Sequence, residues 1–269
     1  MQTYFSIIAA LLYICCLFMV SRPRWFMSSV IVAGWLAHGA ALLLDISAPE
    51  GVRVGFSFML SSALWLTVMV YWLENRRLSL DGLRYLVLPA AAVQVLLPVF
   101  FPGQLISIEG KTAWFPVHIA IAILAYSTLT IAAFHAVLMA LQEARLHRRS
   151  SFLANGWVGA ALERLPALLT MERILFKLVF IGFVFLTMTV LSGVLFSEYL
   201  FGMALKWDHK TIFTLLSWLL FGTLLGGRHL RGWRGKTALS LTLSGFATLL
   251  LAYVGSRFVL EVVLHRSFI

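Results

Sequence analysis

Eight stretches of this chain are each long and apolar enough to cross a bilayer, and that recurrence restricts the fold more than any single motif does. A spanning helix needs roughly 20 mostly apolar residues. The stretches run near 3–20, 25–45, 56–73, 83–101, 114–141, 174–197, 209–227 and 237–264. Of the 269 residues, 61% are hydrophobic and only 12% charged, so a water-soluble fold could not cover its apolar surface with polar side chains. The expected fold is all-α: a polytopic integral membrane bundle of about eight transmembrane helices, forming a single membrane domain over residues 1–269. The short connections leave little chain for a soluble domain.

The formal net charge of +10 raises nucleic acid as a partner, and the placement of the charges argues against it. Fifteen of the 21 Lys and Arg fall in alternate loops. They are Arg22 and Arg24; Arg76, Arg77 and Arg84; Arg145, Arg148, Arg149, Arg164, Arg173 and Lys177; and Arg228, Arg231, Arg234 and Lys236. Cations concentrated on one set of loops are the positive-inside signature. The expected topology puts those loops in the cytoplasm and both termini outside. The excess charge then reports topology and contact with anionic lipid rather than nucleic acid.

The first apolar stretch has no basic start and no small-residue cleavage site, so it reads as a retained span. Cys15 and Cys16 are adjacent inside it, a poor arrangement for a disulfide, and read as small packing residues. Pro89 is expected to kink the fourth span, and Pro98 with Pro102 to end it. The longest connection, about 142–173, carries Trp157, Ala161, Leu165, Leu168 and Leu169 at near-helical spacing, broken by Pro166. It reads as an amphipathic piece on the inner surface or as a plain tether.

Topology sorts the seven histidines by depth. His118 starts the fifth span at the outer face, one turn past the anchor Trp114-Phe115-Pro116. His209 opens the seventh span and His265 closes the eighth at that same face. His38 lies inside the second span, roughly 20 Å from its cytoplasmic start at 1.5 Å per residue. His135, His147 and His229 belong to the cytoplasmic side. Neutral imidazole is a good ligand for haem iron, and ionisable groups at or within a membrane tend to be functional. Near the outer face, Phe201 to Lys210 forms an aromatic, glycine-bearing loop ending in Trp207 and Asp208, which would suit a flat apolar cofactor. Equally, a histidine at a helix end can hydrogen-bond headgroups or backbone, and Trp207 can be an interfacial belt tryptophan. Asp208 suits an N-cap of the seventh helix better than a catalytic role.

Over about residues 30–269 the chain resembles the cytochrome c assembly family of haem-handling membrane proteins. The likeness rests on Leu36-Ala37-His38-Gly39-Ala40-Ala41-Leu42, on Phe115-Pro116-Val117-His118-Ile119 with Leu124-Ala125-Tyr126, and on Leu165-Pro166-Ala167-Leu168. Further matches are Glu172-Arg173-Ile174-Leu175-Phe176-Lys177, Leu191-Ser192-Gly193, Arg231-Gly232-Trp233-Arg234-Gly235 and Leu264-His265-Arg266-Ser267-Phe268. The family's loop reads Trp-Gly-x-x-Trp-x-Trp-Asp-Pro-Lys-Glu. In that frame this chain has Phe201, Gly202, Leu205, Trp207, Asp208, His209, Lys210 and Thr211.

The resemblance implies that His118 and His265 ligate haem iron at the outer face, with Phe201, Leu205 and Trp207 along the porphyrin. The haem would be b-type and non-covalent; no Cys-x-x-Cys-His attachment motif is present. Two loop tryptophans are replaced by Phe201 and Leu205, the proline by His209 and the glutamate by Thr211. His209 is a competing outer ligand. His38 matches the family's intramembrane histidine, but its partner position falls on Gly226. His229 lies a turn further inward, more than ~20 Å from His38 by depth.

The leading expectation is a bacterial inner (cytoplasmic) membrane protein that binds haem at the outer face during cytochrome c maturation, with no catalytic residue assigned. Its expected partners are haem, the bilayer and cytochrome c maturation proteins. The alternatives are a membrane regulator of haem biosynthesis acting on a cytoplasmic enzyme, and a membrane protein unrelated to haem.

Overall fold

The computed structural model describes residues 1–19, 22–46, 52–78, 80–106, 114–147, 159, 162–163, 165–201 and 207–255. Eight α-helices run through them. They are α1 (Gln2–Phe18), α2 (Arg24–Ile46), α3 (Phe56–Leu78), α4 (Arg84–Phe100), α5 (Trp114–His147), α6 (Leu168–Phe201), α7 (His209–Arg231) and α8 (Gly235–Leu250). A π-turn, Leu251–Gly255, continues α8. Two three-residue strands, β1 (Val52–Val54) and β2 (Gln104–Ile106), pair antiparallel with Arg53 opposite Leu105. They clip the loop after α2 to the loop after α4 and leave the fold class all-α.

Helices α2, α3, α5, α6 and α7 are each long and apolar enough to span a membrane, while α1 and α4 are shorter apolar helices. Every apolar stretch of the sequence has its helix, with two extended beyond expectation: α5 continues to His147 and α6 begins at Leu168. Helix α4 runs through both Pro89 and Pro98 and ends at Phe100. Within the 142–173 connection, residues 148–158, 160, 161 and 164 lie outside the described residues.

The chain gathers into two compact units, Met1–Gly110 with Ala154–Pro166, and Lys111–Leu153 with Ala167–Ile269. In the first, α1 packs on α2 and α4, and α3 packs on α4. With no water in a bilayer core, packing there relies on close approach and on paired polar groups. Trp35 and Trp65 stack at 4.7 Å between centroids, and each indole N–H donates to the other residue's carbonyl, at 3.1 and 2.9 Å. Gly39 lets Trp65 in: a Cβ there would sit 3.0 Å from the indole nitrogen.

In the second unit α5 pairs with α6 along much of their length, and α8 packs on α7 and α5. The same devices recur. Ser217 donates to the Gly245 carbonyl at 2.8 Å, Trp218 to the Thr187 hydroxyl at 2.9 Å, and Tyr126 to the Leu249 carbonyl at 2.8 Å. Helix α7 is stopped by Gly232 in the left-handed region, φ 67°, whose N–H closes on the Arg228 carbonyl at 3.2 Å. Trp233 then folds back over Gly227, where any Cβ would overlap the indole. Glu172 at the start of α6 holds this turn through Arg228 at 2.9 Å and Arg234 at 3.2 Å.

Candidate functional site

The site is built around His118, in the second turn of α5. Its Nδ1 lies 2.7 Å from the hydroxyl of Ser192 on α6. Ser192 also donates to the Met188 carbonyl one turn back, at 2.7 Å, as hydroxyls in membrane helices commonly do. A serine hydroxyl has a single proton. The hydroxyl is shared between that carbonyl and the imidazole, so Ser192 ties the His118 ring to α6 through Nδ1. A neutral imidazole held in this way is of the kind that ligates haem iron. Gly193 keeps the approach open, since a Cβ there would come no nearer than 3.8 Å to the His118 ring.

Around this end of the second unit the helix surfaces are apolar and uncovered. Val117 on α5, Leu191 and Leu195 on α6, and Ile212 on α7 are all exposed. Trp207, just before α7, is 71% exposed. An imidazole anchored through one nitrogen and an exposed apolar surface fit haem, whose large ring gains about 25 cal/mol per Å² of apolar burial. Asp208 is the N-cap of α7: its Oδ1 accepts from the Thr211 N–H at 2.8 Å and from the Thr211 hydroxyl at 2.9 Å. Thr211, where the family pattern has glutamate, thereby joins the cap. His209 is the first residue of α7 and is exposed. The side chain of Phe201, the loop residue Leu205 and the expected second ligand His265 lie outside the described residues.

His38 sits in the first unit and has a different setting. It is fully buried, 0% exposed, with Nε2 2.9 Å from the Ser61 hydroxyl and Nδ1 3.3 Å from the Tyr13 hydroxyl. As placed, it could reach iron only by giving up one of these bonds. Gly226, on α7, has nothing within 4 Å of a Cβ position and no side chain to offer as the family's second intramembrane ligand. His135 is also buried and donates from Nδ1 to the Ile131 carbonyl at 2.9 Å, while His229 is exposed in the last turn of α7. Ser192 lies in the Leu191-Ser192-Gly193 stretch, where nothing local marks it as a partner of a histidine. It stands 74 positions from His118, and no spacing rule connects them.

Together these features define a multi-pass helical membrane protein with an oriented histidine near one end of its second unit. The family described as Cytochrome C assembly protein matches residues 3–264, and the chain belongs to that family. Among curated relatives it is similar to the Inner membrane protein YpjD of Escherichia coli, 30% identical over 173 residues, which are 64% of this chain and 62% of that protein. It is also similar to the Cytochrome c biogenesis protein CcsA of Heterosigma akashiwo, 26% identical over 55% of this chain and 53% of the relative. The CcsA protein of Gloeobacter violaceus is 28% identical over 40% and 32%. The matches thus span less than two thirds of each relative's length.

Proposed function

We propose that this protein binds haem non-covalently at the His118 end of its second unit and handles it during cytochrome c maturation. On this reading the His118 end faces outward and both termini lie outside, in a bacterial inner membrane. The anchoring of His118 by Ser192 carries the proposal: an imidazole in a spanning helix is tied through Nδ1 to a neighbouring helix, in a member of a family concerned with cytochrome c assembly. His118 would hold the iron from α5 and His265 from the chain beyond α8, while Trp207, Phe201 and Leu205 would lie along the porphyrin. Bound haem would supply an iron centre and two carboxylates. The chain itself supplies the ligand nitrogen, an apolar bed, and through Asp208 a rigid start to α7 beside the loop. Cytochrome c maturation proteins would be the partners.

The test is the absorption spectrum of purified protein expressed with ample haem. A Soret band is expected, strongly reduced in His118→Ala and His265→Ala. A colourless wild-type protein would overturn the proposal. A second reading, a membrane regulator of a haem-biosynthesis enzyme, draws on the altered loop, where Phe201, Leu205, His209 and Thr211 replace the family's pattern. On that reading deletion changes haem-precursor levels while cytochrome c attachment stays normal.

A further inference from the structure

The first unit contains a cavity of about 1020 Å³ where α2 begins, α3 ends and α4 begins. Small-molecule sites run to roughly 300–1,000 Å³, so it is large enough for a sizeable ligand. Its wall includes Arg84, the first residue of α4, which is only 3% exposed. The guanidinium lies 4.7 Å from the centre of the Tyr85 ring, donates to the Tyr85 hydroxyl at 2.7 Å and lies 4.0 Å from the Met27 sulfur, while its buried Nε has no hydrogen-bond partner among the described residues. Among the described residues no carboxylate comes within 4.0 Å of it.

Asp81, the acid lining the cavity, is already engaged. One oxygen is 3.5 Å from Arg24 and the other accepts from Asn75 at 3.2 Å. A buried guanidinium with no counter-charge is strongly unfavourable, and a burial of this kind calls for an anion. The chain adds to the imbalance: Arg22, Arg24 and Arg76 line the same cavity, so four arginines face one aspartate. The remaining wall is mixed, with aliphatic, serine and aromatic side chains. Trp25, Tyr71 and Trp72 contribute to it, with the Arg76 guanidinium 5.0 Å above the Trp72 ring. Charge is gathered at the mouth of a largely apolar space.

We propose that this cavity binds an amphipathic anion, with its carboxylate or phosphate on Arg84 and its apolar body along Trp25, Tyr71 and Trp72. Two sources share that chemistry: an acidic phospholipid and a porphyrin bearing carboxylates. The site uses no histidine and no iron, so it stands apart from the function proposed above.

The experiment uses the full chain in phosphatidylcholine nanodiscs. One arm titrates metal-free protoporphyrin IX and follows its fluorescence, which removes any contribution from iron ligation. The other measures phosphatidylglycerol retention against phosphatidylcholine by native mass spectrometry. Saturable binding of at least one anionic probe is expected, weakened about tenfold or more in Arg84→Gln. Arg84→Lys should fall between wild type and Arg84→Gln, because it keeps the charge and loses the fork. Arg76→Gln, at an exposed position, should weaken binding about two- to fivefold; it decides the matter with Arg84→Lys if Arg84→Gln fails to fold. Lys177→Gln, which removes an exposed charge from the second unit, should bind as wild type does. Binding of the porphyrin alone, or of the lipid alone, identifies the source and supports the proposal. It is overturned if neither probe saturates, or if the arginine variants bind as Lys177→Gln does.

Discussion

His38 and His118 both sit in apolar helices beside a serine from a neighbouring helix, yet the two sites differ in kind. His38 is sealed, with Ser61 and Tyr13 on its two nitrogens. A buried polar group must be paired because leaving it unmet costs about 1–3 kcal/mol, and here the pairing is complete inside the protein. His118 is half-buried, its Nδ1 tied to a serine hydroxyl that also bonds the Met188 carbonyl of its own helix. The first arrangement holds α1, α2 and α3 together, whereas the second aims a ligand nitrogen. A histidine in a membrane span is therefore not by itself a functional site; the hydroxyls around it decide.

The sharpest way to break this contrast is to remove each imidazole in turn. His118→Ala should abolish most of the Soret absorbance of haem-loaded protein while leaving thermal unfolding close to wild type. His38→Ala should do the reverse, destabilising the fold by about 2–4 kcal/mol through the cavity and the two stranded hydroxyls. Its measure is a thermal melt in detergent, alongside an unchanged Soret position. Equal Soret loss in both variants would erase the distinction drawn here.

Smaller changes refine it. Ser192→Ala removes the hydrogen bond to Nδ1 together with the hydroxyl's bond to its own helix, and ligand-orienting contacts are worth about 10–100-fold in affinity. Haem affinity should fall by about that much, with Ser192→Thr restoring most of it; loss of affinity without rescue by threonine would reduce Ser192 to a packing role. The smallest effect belongs to Asp208→Ala. Loss of an N-cap costs about 0.5–2 kcal/mol, seen as a lower melting temperature, and Asp208→Asn should recover most of that loss.

Much of the fold was legible in the chain. Spans are dictated by length and apolarity, both of which are local, so all eight helices appear where the stretches lie. Their ends were less legible. Helix α6 takes in Leu168 to Arg173, where Glu172 is held by Arg228 in the last turn of α7 and by Arg234 at the start of α8, ion pairs that no local rule anticipates. Helix α4 ends at Phe100, between Pro98 and Pro102, as their spacing led one to expect. Asp208 was readable as a cap because its partner Thr211 is three residues away. The candidate site was legible only in part: motif and topology singled out His118, while its orientation depends on a residue in another helix.

From the sequence alone came the helical membrane class, the cytochrome c assembly likeness and the identity of the histidines, since hydropathy and short motifs are properties of consecutive residues. Tertiary structure decided which histidine is enclosed, which is anchored to a neighbouring helix, and that Arg84 lies buried with no carboxylate beside it among the described residues. Burial and hydrogen bonding between helices are relations among residues tens of positions apart, and only packing brings those residues together.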